Sequence, residues 1–160
     1  MSSFKSKRVI KKFVQKLNAS PNIVFPLLCP KMEYKWIEPW NCKMIYSKSG
    51  YAEDNCVFET NFPEDLEPET WFVSQYINNQ AIQFVRFNNY KITRQNITLL
   101  NNKDGSTTAI WEQIITGLNE EGNKYIDSYT DEVYKEEILM IEKMLNYYLE
   151  KGQMLKVNLP

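Results

Sequence analysis

The chain contains no histidine. That absence removes the Ser-His-Asp and Cys-His nucleophile systems, every zinc site built on imidazole, and the one side chain that titrates near neutrality without perturbation. Cysteine is scarce: Cys29, Cys42 and Cys56 are an odd number with no C-x-x-C pair. A secreted disulfide framework uses even numbers, so free thiols in a reducing cytoplasm are expected. An excess of one charge is missing too. With 19 basic against 20 acidic residues the net charge is −1, which gives no long-range field to attract a nucleic-acid backbone or an anionic membrane. No apolar run approaches the roughly 20 residues that a membrane span needs. The stretch 9–17 is broken by Lys11, Lys12 and Lys16, so it is no signal-peptide core. Phosphate-binding glycine loops, dinucleotide fingerprints and nucleophile elbows are absent. The acidic run Glu64-Asp65-Leu66-Glu67-Pro68-Glu69 lacks the ligand spacing of a calcium loop and reads as solvated. No cofactor and no metal are expected.

What is there is a chain of 160 residues, 43% hydrophobic and 14% aromatic. That length predicts one domain, residues 1–160, able to bury roughly 70% of its unfolded surface without disulfides or metal. Residues 7–17 read as a strand with Val9, Phe13 and Leu17 on one face and Ile10 and Val14 on the other. Ser20-Pro21 signals a helix start, with the hydroxyl at N-cap and proline at the first helical position. Pro26 and Pro30 keep that helix short, and a second short helix is expected from Lys31 to about Trp36. Residues 42–49, 55–61, 70–77, 80–87, 91–100 and 107–118 then read as strands separated by Asn- and Gly-containing turns. Short connections imply an antiparallel meander. From Asn119 to Lys151, apolar residues recur at three- and four-residue spacing and Gly152 follows as a stop. This predicts one helix of about 30 residues, roughly 45 Å long.

Several stretches carry a likeness to known proteins. It is densest in Val24-Phe25-Pro26-Leu27-Leu28-Cys29-Pro30, followed by Glu33, Trp36 and Trp40. It continues through Tyr46-Ser47-Lys48-Ser49-Gly50, Glu53 and Val57-Phe58-Glu59-Thr60, then Thr70-Trp71 and Phe84-Val85-Arg86. Thr116-Gly117-Leu118-Asn119-Glu120-Glu121-Gly122-Asn123 completes it. From about Lys7 to Leu155 the sequence resembles the SRPBCC superfamily, the START-like proteins that include the birch-pollen allergens and the polyketide cyclases. Within it, the likeness is to a bacterial branch of uncharacterised proteins, which usually carry glycine where this chain has Pro39. The resemblance implies an α+β helix-grip fold. A curved antiparallel sheet would wrap around a long C-terminal helix, with two short helices between the first and second strands. A ligand cavity would lie between sheet and helix.

Nine residues are candidates to meet a ligand there. Trp36 and Trp40 are four apart and would share one face of a continuous helix; they form either an aromatic wall at the cavity mouth or core packing. Trp71, in the matched Thr70-Trp71 pair, joins that wall. Glu33, near the tryptophans, is a candidate acid or base, or else it pairs with Lys35 or Arg86 or sits in water. Arg86 is either an anchor for a ligand carboxylate or phosphate, or the partner of Glu59 or Glu112 on a neighbouring strand. Tyr129, four residues after Tyr125, offers a phenol or packs in the core. Met140, with Met144, suits an adaptable cavity wall or simply fills a gap. Glu137 must be paired or protonated if it points inward, and otherwise leans to the edge.

These residues support binding of a small, mostly hydrophobic molecule, lipids included, by a cytoplasmic monomer or homodimer with no nucleic-acid partner and no membrane span. A cyclase- or dehydratase-type enzyme using cavity carboxylates is the alternative, and a chaperone-activator-like interaction module is another. The lack of a nucleophile system favours binding over catalysis.

Overall fold

The computed structural model describes residues 3–156. Among them, seven strands form one antiparallel sheet in the order β1-β7-β6-β5-β4-β3-β2. They are β1 (Arg8–Leu17), β2 (Cys42–Tyr46), β3 (Val57–Thr60), β4 (Glu69–Ile77), β5 (Ala81–Phe87), β6 (Lys91–Asn101) and β7 (Thr107–Gly117). From β2 to β7 the strands follow one another as a meander, and β1 then pairs with β7 at the far side. The turn residues do what their types allow. Asn79 (φ 62°) closes the β4–β5 hairpin, and Gly105 (φ 85°) closes β6–β7.

Parity sorts the two faces. On β1, Lys11, Gln15 and Leu17 are buried, while Ile10 and Val14 lie exposed on the outer face. On the inner face of β5, β6 and β7, Phe84, Ile97, Leu99, Trp111 and Ile115 pack into the core.

Between β1 and β2 the prolines set the pattern. Pro21, Pro26 and Pro30 each stand at the start of a short helical piece: α1 (Pro21–Val24), a 3-10 turn (Phe25–Leu28) and α2 (Pro30–Glu33). Proline lacks an N–H, so it suits a first turn and interrupts any longer helix. Ser20 sits at the N-cap, but its hydroxyl makes no capping bond; its carbonyl accepts from Ile23 and Val24 instead.

The C-terminal segment departs from the expected single helix. It is two helices, α3 (Glu120–Ser128) and α4 (Asp131–Lys151), interrupted at Tyr129 and Thr130. The Thr130 hydroxyl accepts the Val133 N–H, and Asp131 and Glu132 occupy the first turn. That is a complete helix start. Apolar spacing runs on across so short a break, so periodicity does not reveal it. Asn119 caps α3 in the same way through Gly122 N–H, and Gly152 (φ 68°) ends α4 with its N–H bonded to the Tyr148 carbonyl.

Helix α4, 21 residues and about 32 Å long, is pinned to the sheet by polar contacts. The Gln15 amide donates to the Ile138 carbonyl at 3.0 Å and accepts from the Trp111 indole at 2.7 Å. Lys11 Nζ meets Asp131 at 2.6 Å. Apolar packing around Ile138, Met144 and Leu145 completes the junction. No helix of the described residues is long and apolar enough to cross a membrane.

Candidate functional site

Sheet and helix do not close completely on one another. They enclose a cavity of about 330 Å³, at the lower end of the volumes small-molecule sites occupy. The inner sheet face contributes Phe58, Trp71, Phe84 and Trp111; α4 contributes Ile138, Met140, Ile141 and Met144. At the mouth stand Glu33 from α2, the Ile37–Trp40 segment, and Phe62 and Glu64 from the β3–β4 loop. Trp40 and Phe62 meet there with ring centroids 5.5 Å apart. Phe58 stacks on Trp71 at 5.2 Å, and Phe84 meets both rings edge-on.

The polar groups on this wall have unusual surroundings. Glu33 is only partly exposed, and desolvation pushes its carboxyl well above the ordinary carboxylate range. Glu38 has a buried carboxylate oxygen without a partner. Arg86 lies over the Trp71 ring at 4.7 Å and reaches Glu69 at 3.6 Å. Glu69 is held more closely by Lys91, at 2.9 Å, both side chains being 4% exposed. Burial opposes the Glu69 charge, but Arg86 and Lys91 together outweigh it and hold the carboxyl below its usual value. The same burial, with Arg86 nearby, lowers Lys91. Glu137 lines the cavity from α4 and accepts the Tyr129 hydroxyl. Burial, and then that carboxylate, push the Tyr129 phenol far up. Gln113 donates to Gln95 at 3.1 Å across the cavity floor, leaving its own buried carbonyl oxygen unpartnered.

No family model matches the chain, and no curated protein sequence matches it. Solved structures do. An uncharacterised protein of Rhizobium leguminosarum superposes with a TM-score of 0.64 at 12% identity, over 92% of this chain and 97% of that one. Norcoclaurine synthase from Thalictrum flavum, in complex with dopamine and hydroxybenzaldehyde, gives 0.63 at 10% identity over 91% and 89%. DynU16, a protein of the dynemicin biosynthetic locus, gives 0.62 at 13% identity over 90% of this chain and 48% of its own. The chain has the helix-grip fold.

In this helix-grip cavity, five of the nine candidates lie on the wall: Glu33, Trp40, Trp71, Arg86 and Met140. The other four stand elsewhere. Trp36 is 0% exposed and donates its indole N–H to the Leu27 carbonyl at 2.8 Å, so it packs the short helices together. It does not share a face with Trp40 because α2 ends at Glu33. Trp40 turns to the Pro30 carbonyl, also at 2.8 Å. Glu59 and Glu112 are on the outer face of the sheet, where Glu112 pairs with exposed Arg94 at 3.4 Å. Neither is the partner of Arg86; Glu69 is. Tyr129 is buried behind the wall, stacked on Tyr125 at 5.4 Å. Glu69 also departs from the solvated acidic loop expected of residues 64–69, since it opens β4 and is buried. Glu137 borders the cavity from an exposed position on α4, at its edge.

The sequence reading missed Gln95, Gln113 and Glu38 as wall residues. Gln113, between Trp111 and Ile115 on one strand face, and Glu38, between Ile37 and Pro39, are polar residues in apolar surroundings; Gln95, between Arg94 and Asn96, has no such signal. The three cysteines are free. Burial, and then the Glu33 carboxyl, push the Cys42 thiol up to about 11, which leaves it protonated and unreactive. Among the described residues no three His, Cys, Asp or Glu side chains come together to hold a metal ion.

Proposed function

We propose that the protein binds a small, mostly apolar molecule in the cavity between the sheet and α4. The supporting observation is the cavity itself: about 330 Å³, walled by Trp40, Phe58, Phe62, Trp71, Phe84 and Trp111 with a few buried polar groups. Ligand sites have this composition, since apolar walls supply affinity and sparse polar atoms fix orientation. The interaction-module reading needs a filled interior, and this interior holds a cavity. Native mass spectrometry of protein purified from its own host tests the proposal. Retention of a small molecule, released on denaturation, is the expected result. An empty protein that also shows no thermal shift with an apolar ligand panel would overturn it.

One observation favours a catalytic variant of this reading. Glu33, with its desolvated carboxyl, and Glu137, which accepts the hydroxyl of Tyr129 behind the wall, both line the cavity. A carboxyl that holds its proton above the ordinary carboxylate range can donate it, and a second carboxylate on the wall can accept one, in a cyclase- or dehydratase-type step. Turnover lost in both Glu33→Gln and Glu137→Gln, with ligand binding retained, is what that variant requires.

A further inference from the structure

Arg86 is a buried guanidinium that the fold leaves without hydrogen bonds. Its side chain is 16% exposed, its closest carboxylate contact is the 3.6 Å approach to Glu69, and its Nε is buried with no partner. No hydrogen bond to any of its nitrogens is made among the described residues. Glu69 gives its close contact to Lys91 instead, at 2.9 Å. Glu137, a carboxylate that lines the cavity, accepts the Tyr129 hydroxyl. The guanidinium carbon lies over the Trp71 ring, 4.7 Å from its centroid. A ring supplies no oxygen acceptor, and the Arg fork has five donors fixed in one plane. A buried donor with no acceptor costs about 1–3 kcal/mol, and a fold does not sustain that at a cavity wall without use.

Other orphaned atoms lie close by. Thr93, opposite Arg86 in the β5–β6 register and 1% exposed, has an unpartnered hydroxyl. Gln113, 4% exposed and on the wall, has an unpartnered carbonyl oxygen. Orphaned atoms of a native fold are rare, and those of Glu38, Arg86 and Gln113 belong to residues that line this one cavity. The apolar remainder of the wall is largely aromatic: Trp40, Phe58, Phe62, Trp71, Phe84 and Trp111.

We infer that the cavity ligand is an aromatic or similarly flat apolar molecule carrying an oxygen acceptor, carboxylate or carbonyl, which receives the N–H edge of Arg86. This deepens the binding reading and rests on it.

The test is a four-ligand titration of the wild-type protein by calorimetry: 3-phenylpropionate, 4-phenyl-2-butanone, butylbenzene and 3-phenylpropylamine. These share a ring and a short chain and differ at the polar end. At least one of the two oxygen acceptors is expected to bind ten-fold or more tighter than butylbenzene and the amine. The acid ahead of the ketone identifies a carboxylate, and the ketone ahead identifies a carbonyl. Arg86→Met is expected to remove the advantage, and Arg86→Lys, which keeps the charge but loses the planar fork, to reduce it at least five-fold. Thermal melts verify that both variants fold, and the wild-type series stands alone should either fail. Equal binding of all four ligands, preference for the amine, or an advantage that survives Arg86→Met would overturn the inference while leaving the cavity as a binding site. Failure of all four to bind, with no displacement of the neutral apolar probe N-phenyl-1-naphthylamine, would overturn the binding reading as well.

Discussion

Glu33 and Glu69 are both withdrawn from water, and their neighbours drive them in opposite directions. Glu33 has desolvation without a compensating cation, so its carboxyl titrates well above the ordinary range. The folded protein therefore holds that proton more tightly than the unfolded chain. The stability it contributes is fully present below the ordinary carboxylate range and is lost as pH rises through the folded value. Glu33→Gln removes this dependence. We expect the variant to be more stable than wild type at pH 8, by about 1–3 kcal/mol, and indistinguishable at pH 4, as read from urea denaturation at the two pH values. A residue whose neutral isostere stabilises the fold is retained for use rather than for packing. Glu69 is the reverse case, lowered because Arg86 and Lys91 flank it. Glu69→Gln strands two buried cations and should cost about 3–5 kcal/mol, again read from the denaturation midpoint. Arg86 shows where residue-level reading stops. Its type and its apolar strand face are legible, but its partner is not. Glu59, Glu69 and Glu112 are equivalent as letters, and only the inward parity of β4 selects Glu69.

At the level of elements, local chemistry was mostly readable. Three prolines break the segment after β1 into three short pieces, and asparagine and glycine close the hairpins. The matched segment around Tyr46–Gly50 with Glu53 has a plain structural role. The Glu53 carboxylate accepts from Ser47 Oγ at 2.6 Å and from Ser49 N–H at 2.7 Å, which folds the β2–β3 loop and holds that carboxyl down at about 2. The break between α3 and α4 was written in Thr130-Asp131-Glu132, a capping signal that uninterrupted apolar spacing concealed. Thr130→Ala should cost about 1 kcal/mol and fray the start of α4, measurable as faster amide exchange near Val133. Gly122 marks a contact that no local pattern reveals. A Cβ there would stand 1.9 Å from the Tyr90 carbonyl oxygen, because α3 lies directly against the β5–β6 turn. Gly122→Ala is expected to destabilise by about 3 kcal/mol, as a lower urea midpoint with an unchanged slope.

Across the whole molecule, the cavity ties stability to occupancy. A ligand present at a hundred times its Kd adds about 2.7 kcal/mol. For a chain of this size that corresponds to a rise in Tm of about 5–10 °C. A bound compound from the host should produce that shift when added back to protein refolded without it, and no shift would argue that the retained molecule is incidental.

Composition excluded imidazole chemistry, and motif order with turn and proline placement led to the helix-grip fold, because those signals are local or follow directly from chain order. The wall of the cavity was not accessible in that way. Most strands are apolar on both faces, so a one-residue difference in parity moves a side chain from ligand to solvent. Packing and strand register placed Glu33, Trp40, Trp71, Arg86 and Met140 on one wall, sent Glu59 and Glu112 to the outside, and put Trp36 into the core.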